Sequence, residues 1–194
     1  MSALGVAAAV LLLWRPFLWG FAAFMHVSSP LRQVDVILPV YDESVSMSTA
    51  VADLYHRGLA PRIVLPRLRL DRLQELGLMP PDHEVWRRLL EARGVPPAAI
   101  ETMGSDIDDA VELGAAVGRL APGSSRIRVL VVASSPFSRL VRSALRRGVD
   151  AAAVDLVMYP VMPPDIDERA WWRSRDGWIA YFDAYCLWLI GFVR

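Results

Sequence analysis

From Val34 onward, apolar and polar positions alternate between two kinds of run. "VDVILPV", "PRIVLP" and "RIRVLVVAS" are short apolar stretches with little or no polar alternation, the pattern of strands covered by helices on both faces. Between them lie segments with helical spacing. "SMSTAVADLYHRG" closes at Gly58 and "DHEVWRRLLEARG" at Gly94; "DIDDAVELGAAVGRL" and "SRLVRSALRRG" follow. "AIETM" reads as a short or edge strand and "VDLVMYPV" as the last strand, while the stretch after "PRIVLP" through Pro80 and Pro81 reads as loop. Strands separated by helices of this length predict an α/β fold: a Rossmann-like, three-layer parallel sheet with right-handed crossovers.

The two ends follow a different pattern. "MSALGVAAAVLLLWRPFLWGFAAFMHV" is nearly all apolar, with Trp14 and Trp19 suited to an interface, so residues 1–27 are expected to form a membrane anchor and 28–194 the α/β domain. Arg15 and Pro16 interrupt it. A charge at mid-membrane costs about 3 kcal/mol, although arginine can snorkel, so a shorter anchor ending near Trp14 and an amphipathic or core helix are the alternatives. After Gly177 the tail is apolar except for Asp183. It is expected to dock as a buried helix against the domain or the anchor, with an interfacial helix or a second span as alternatives.

Composition narrows the function classes. The 194 residues carry a formal charge of zero, which argues against nucleic acid as a partner. All 21 basic residues are arginine, so neither a Schiff-base lysine nor a Walker-type phosphate loop is available. The single Cys186 allows no intramolecular disulfide. No motif names a cofactor.

The most informative stretch is "VVASSPFSRLVRSALRR", residues 131–147. A buried strand runs into Ser134, Ser135 and Pro136, which read as an N-cap and helix start, and then into a helix bearing Arg139, Arg142, Arg146 and Arg147. Such a junction lies at the carboxyl edge of the sheet, where open α/β folds bind ligands. Ser134, Ser135, Ser138, Arg139 and Arg142 are therefore candidates for an anion site, with Ser135 and Arg142 foremost. The alternative is a capped helix with a solvated basic face.

In "SDIDDAVE", Ser105 reads as a helix cap and the aspartates as first-turn acids; Asp108 or Asp109 could instead face the crevice. Tyr41 and Asp42 follow the first strand at the same edge, either in the pocket or in a plain loop. His26, His56 and His83 lack metal-ligand spacing and read as surface or boundary residues. Trp171 and Trp172 read as packing for the last helix.

These phrases, in this order and spacing, resemble the SanA, ElyC and YdcF-like family, a domain of unknown function often tied to envelope biogenesis. "SSPLRQVDVILPV" looks like its entry to strand one and "DLYHRGLAPRIVL" like its passage to strand two. "LLEARGVPPAAIETM", "SSPFSRLVRSAL" and "WWRSRDGWIAYFDAYCLWL" look like its later landmarks. The resemblance implies a phosphate- or nucleotide-bearing ligand, a small molecule or lipid headgroup, in peptidoglycan or lipid-carrier metabolism. It also implies a single-pass protein of the inner membrane with its domain on the outer, periplasmic side. The departures are specific. Pro39, Val40, Tyr41 and Asp42 replace a Gly-rich loop; Pro66, Arg67 and Leu68 replace a small-residue loop; Ser105 to Asp108 replace a Ser-x-Asn-Thr phrase. Ser138 stands where a histidine is expected, and Asp183 where a glutamate is. Because serine cannot exchange protons near neutrality as imidazole does, a catalytically silent binding or scaffold protein is the alternative reading.

Overall fold

The computed structural model describes residues 3–41, 45–121 and 126–193. Five strands form one parallel sheet: β1 (Val36–Pro39), β2 (Ile63–Leu68), β3 (Ile100–Ile107), β4 (Ile127–Ser134) and β5 (Val154–Val161), in the order β3-β2-β1-β4-β5. The fold is thus α/β and Rossmann-like, with its order reversing between β1 and β4.

Side-chain alternation divides the core into two layers. Val36, Leu38, Val129 and Val131 point to one face, where α5 (Ala110–Gly118) contributes Leu113 and Val117 and α6 (Ser138–Gly148) contributes Val141 and Leu145. Ile37, Leu130 and Val132 point to the other, against Met47 and Val51 of α2 (Val45–His56) and Trp86 and Leu90 of α4 (Asp82–Glu91). Both faces are dry, which is why the strands read as unbroken apolar runs.

Three local expectations change. The loop after β2 contains a short helix, α3 (Arg72–Glu75), started by a capping box: Asp71 accepts from the Leu73 and Gln74 amides, and Gln74 returns a bond to Asp71. Ser105 is not a helix cap. It lies in β3, which runs past "AIETM" through an irregularity marked by Gly104 (φ 71°) and Asp106 (φ 51°), and Asp109 is the residue that caps α5. Ser134 stands at the cap position of a 3-10 turn over Ser135–Phe137 that holds Pro136 near its start, but its side chain makes no capping bond and α6 begins only at Ser138.

The amino-terminal helix α1 (Ala3–Met25) ends against the carboxyl edge of the sheet, whereas β1 must begin at the amino edge. The connection therefore runs the length of β5. Ser29 exchanges bonds with Met158, Arg32 pairs with Asp155 at 2.6 Å, and Asp35 accepts from the Arg128 amide at 2.7 Å. This covers what would otherwise be an open sheet edge.

The last helix, α7 (Arg175–Val193), packs on α1 and α6 through an aromatic cluster. Trp171 is buried and donates its indole N–H to the Leu18 carbonyl, and Tyr185 stacks on Phe21. Contacts advance together along both segments, from Trp14–Trp172 in the turn before α7 through Phe21–Tyr185 to Phe24–Trp188, so α1 and α7 run in the same direction. Tyr181 and Ala184 are buried as a docked helix requires, but the opposite face of α7 is exposed. Among the described residues, no helix is long and apolar enough to cross a membrane.

Candidate functional site

The reversal of strand order between β1 and β4 opens a crevice beyond their carboxyl ends. The segment 134–142 forms one wall, and the end of α1 fills it. Ser138 is fully buried. Its hydroxyl accepts the Val27 N–H at 2.8 Å and lies 2.9 Å from the carbonyls of Met25 and Ser135, one of which receives its proton. Arg139 donates through Nε to the Phe24 carbonyl while its guanidinium sits 4.0 Å over the Phe24 ring. These groups satisfy the last carbonyls of α1, which have no partners within that helix.

An imidazole does reach this junction, from α1 rather than α6. His26 Nδ1 is 2.9 Å from Ser135 Oγ and 2.9 Å from Glu168 Oε1, so one nitrogen serves two partners. Glu168 lies between β5 and α7, and the three residues tie α1, the turn after β4 and the approach to α7 together. A serine-histidine-carboxylate set that activates a nucleophile holds the acid on one ring nitrogen and the serine on the other. Here both use Nδ1, and Ser135 is only 1% exposed. The arrangement holds elements in place; it does not poise the hydroxyl for attack. His26 is thus no simple boundary residue. Nothing local in the sequence marks it, because its partners lie more than a hundred positions away. Of the other histidines, His56 bonds the Arg93 carbonyl and His83, half-buried beside Arg67, has its pKa lowered, mainly by burial.

The remaining candidates scatter. Tyr41 turns toward β2, donating to the Pro66 carbonyl at 2.8 Å and stacking on Trp86, and burial pushes its phenol up. Asp42 lies outside the described residues. Ser105 is exposed on β3. Asp109 is occupied as a cap, accepting from the Val111 and Glu112 amides at 2.8 Å each, and Asp108 pairs with Arg69 at 2.7 Å. Ser134 ends β4, largely buried.

Arg142 is the exception to this self-satisfied pattern. It sits one turn beyond Ser138 on the same face of α6, its Nε is buried without a hydrogen-bond partner, and burial, then Arg146 and Arg139, pulls its pKa down. Among the described residues, no group of three or more His, Cys, Asp or Glu is placed to hold a metal ion. A separate cavity of about 400 Å³, lined by Asp35, Gly58 and Arg128 among others, opens at the amino edge, away from the crevice.

No protein-family model and no curated protein matches this sequence. Among solved structures, the chain is similar to glucose-6-phosphate 1-dehydrogenase from Mycobacterium avium at 15% identity with a TM-score of 0.34, covering 65% of this chain. The match spans 36% of that dehydrogenase.

Proposed function

We propose that this chain is a membrane-bound α/β protein of the cell envelope whose domain lies against the bilayer and binds a phosphate-bearing ligand there. The observation that carries the membrane part is the outer face of the α1–α7 pair. Phe17 of α1 is 71% exposed and Phe182 of α7 64%, and Leu187, Leu189 and Ile190 of α7 are exposed as well. Large apolar side chains left exposed on two adjacent helices have no aqueous purpose and suit insertion into a bilayer. In this reading α1 anchors the chain and α7 lies along the interface. The resemblance to envelope proteins supports the outer side of the inner membrane and a place in peptidoglycan or lipid-carrier metabolism.

Flotation of the full chain with neutral phosphatidylcholine vesicles tests it. The parent is expected to float, and Phe182→Asp or Phe17→Asp to weaken partitioning by roughly tenfold or more, since burying one large apolar side chain contributes about 1.5–3 kcal/mol. A monodisperse chain that stays in the aqueous fraction would sink the reading.

Two observations bear on the domain's work at that surface. The unpartnered Nε of Arg142 favours an anion there, because a desolvated donor on a charged group gains most from a charged acceptor. The hydroxyls of Ser135 and Ser138, already bonded to the chain's own α1, favour binding without turnover. A thermal-shift titration of the full chain in nonionic detergent with nucleotides and pyrophosphate separates these roles. Ligand at a hundred times its dissociation constant adds about 2.7 kcal/mol, a rise of roughly 5–10 °C for a chain of this size. A rise lost in Arg142→Ala supports the anion role; a cooperative melt that no ligand moves leaves the silent scaffold.

A further inference from the structure

A second cluster of arginines lies away from Arg142. Where α1 passes the turn that leads into α7, Arg15, Arg169 and Arg173 surround a pocket of about 340 Å³ whose other walls are Pro16, Trp19, Ala170 and Trp172. No carboxylate lines it. Among the described residues none of these three guanidiniums makes an ion pair, whereas Arg32, Arg62 and Arg69 each have an acidic partner within 2.8 Å.

Three like charges around one space repel one another, and a multiply charged anion turns that repulsion into attraction. The walls are fixed rather than incidental. Trp171 bonds the Leu18 carbonyl at 2.9 Å, Phe21 stacks on Trp171, and Trp14 meets Trp172 edge-on at 5.9 Å, so α1 and the turn are held at this spacing. The pocket is also large enough for a small headgroup. Guanidinium forks match phosphate oxygens in pairs, and the indoles of Trp19 and Trp172 offer flat apolar sides to whatever carries the phosphate. Arginine and tryptophan together are the residue types expected at the headgroup level of a bilayer.

We propose that Arg15, Arg169 and Arg173 form a binding site for a phosphomonoester or diphosphate group, on a lipid headgroup or on a free ligand. The site shares with the proposed function its expectation of a phosphate-bearing ligand but does not depend on Arg142.

Two arms test it with the full chain. In detergent, pyrophosphate is titrated against the parent, Arg169→Gln/Arg173→Gln, Arg142→Ala and, as a control for loss of surface positive charge, Arg88→Gln on α4 at the other face of the sheet. With vesicles, binding is compared between pure phosphatidylcholine and phosphatidylcholine containing phosphatidic acid. The double variant is expected to weaken pyrophosphate binding, or to abolish the gain from phosphatidic acid, by roughly tenfold or more, with Arg88→Gln unchanged. Loss in the pyrophosphate arm alone assigns a free ligand, and loss in the vesicle arm alone a lipid headgroup. If neither arm responds to phosphate, if Arg88→Gln costs as much as the double variant, or if only Arg142→Ala lowers binding, the proposal is overturned. Binding to pure phosphatidylcholine reports on the apolar face of α1 and α7 and should be the same in all four proteins, so failure of the membrane reading shows separately.

Discussion

Ser138→Ala is expected to lower the melting temperature by roughly 2–12 °C and to loosen the end of α1 before the rest of the domain unfolds. The Ser138 hydroxyl is fully buried and meets the Val27 amide and the carbonyls of Met25 and Ser135. Alanine leaves the buried Val27 N–H without its acceptor, whereas the Ser135 carbonyl keeps the Ser138 backbone N–H. Each unsatisfied buried group costs about 1–3 kcal/mol, and each kcal/mol moves the melt of a chain this long by roughly 2–4 °C. Hydrogen exchange at Val27 should accelerate in the variant, because that amide loses its only acceptor shown here. The control is Ser143→Ala on the same helix, where the hydroxyl bonds only the Leu140 carbonyl three residues back; a change within about 0.5 kcal/mol is expected. A Ser138→Ala melt within about 1 °C of the parent, with unchanged exchange at Val27, would remove Ser138 as the attachment point of α1.

That attachment also shows where sequence reading works and where it stops. The strands could be read because their apolar runs are the direct consequence of helices on both faces, as the split of Ile37 from Val36 and Leu38 into opposite core layers confirms. The junction after β4 could be read for the same kind of reason: a strand that meets serines, a proline and an arginine-bearing helix has few places to be in an α/β sheet. What the hydroxyls bond to is another matter. Ser138 finds Val27 across 111 positions and Ser135 finds His26 across 109. No periodicity within a window of a dozen residues carries that pairing; it follows from β1 being the central strand, which obliges the chain from α1 to cross the sheet before entering it. The capping box at Asp71 and Gln74 is different in kind, since "DRLQ" holds it locally, within four residues. The arginines of the α1–α7 pocket belong to the first class. Arg15 reads in sequence as an intrusion into an apolar helix, and only the fold sets it beside Arg169 and Arg173.

Gly148→Ala is expected to destabilise the domain by about 3 kcal/mol or more. In sequence Gly148 looks like the glycine that ends a helix. In the structure its φ is not positive, and its function is close approach. A Cβ there would lie 2.0 Å from the Val111 carbonyl oxygen and 2.9 Å from the Ala115 nitrogen, while a Cβ on Gly114 opposite would lie 2.5 Å from the Leu145 carbonyl oxygen. Every one of these neighbours is backbone, so no side chain can rotate aside. α5 and α6 must separate by roughly 1 Å or more to restore van der Waals spacing, which opens the contacts of Leu113, Val117, Val141 and Leu145. The same movement displaces the start of α6, and with it the seat of α1 at Ser138 and Arg139. Urea unfolding measures this as a lower midpoint at unchanged slope. Gly118→Ala, at the end of α5 with nothing within 4 Å of the added carbon, should be neutral or stabilising by up to about 1 kcal/mol. Equal midpoints for the two variants would mean that the helices do not meet through these glycines, and α6 would lose the support that fixes its amino-terminal groups against α1.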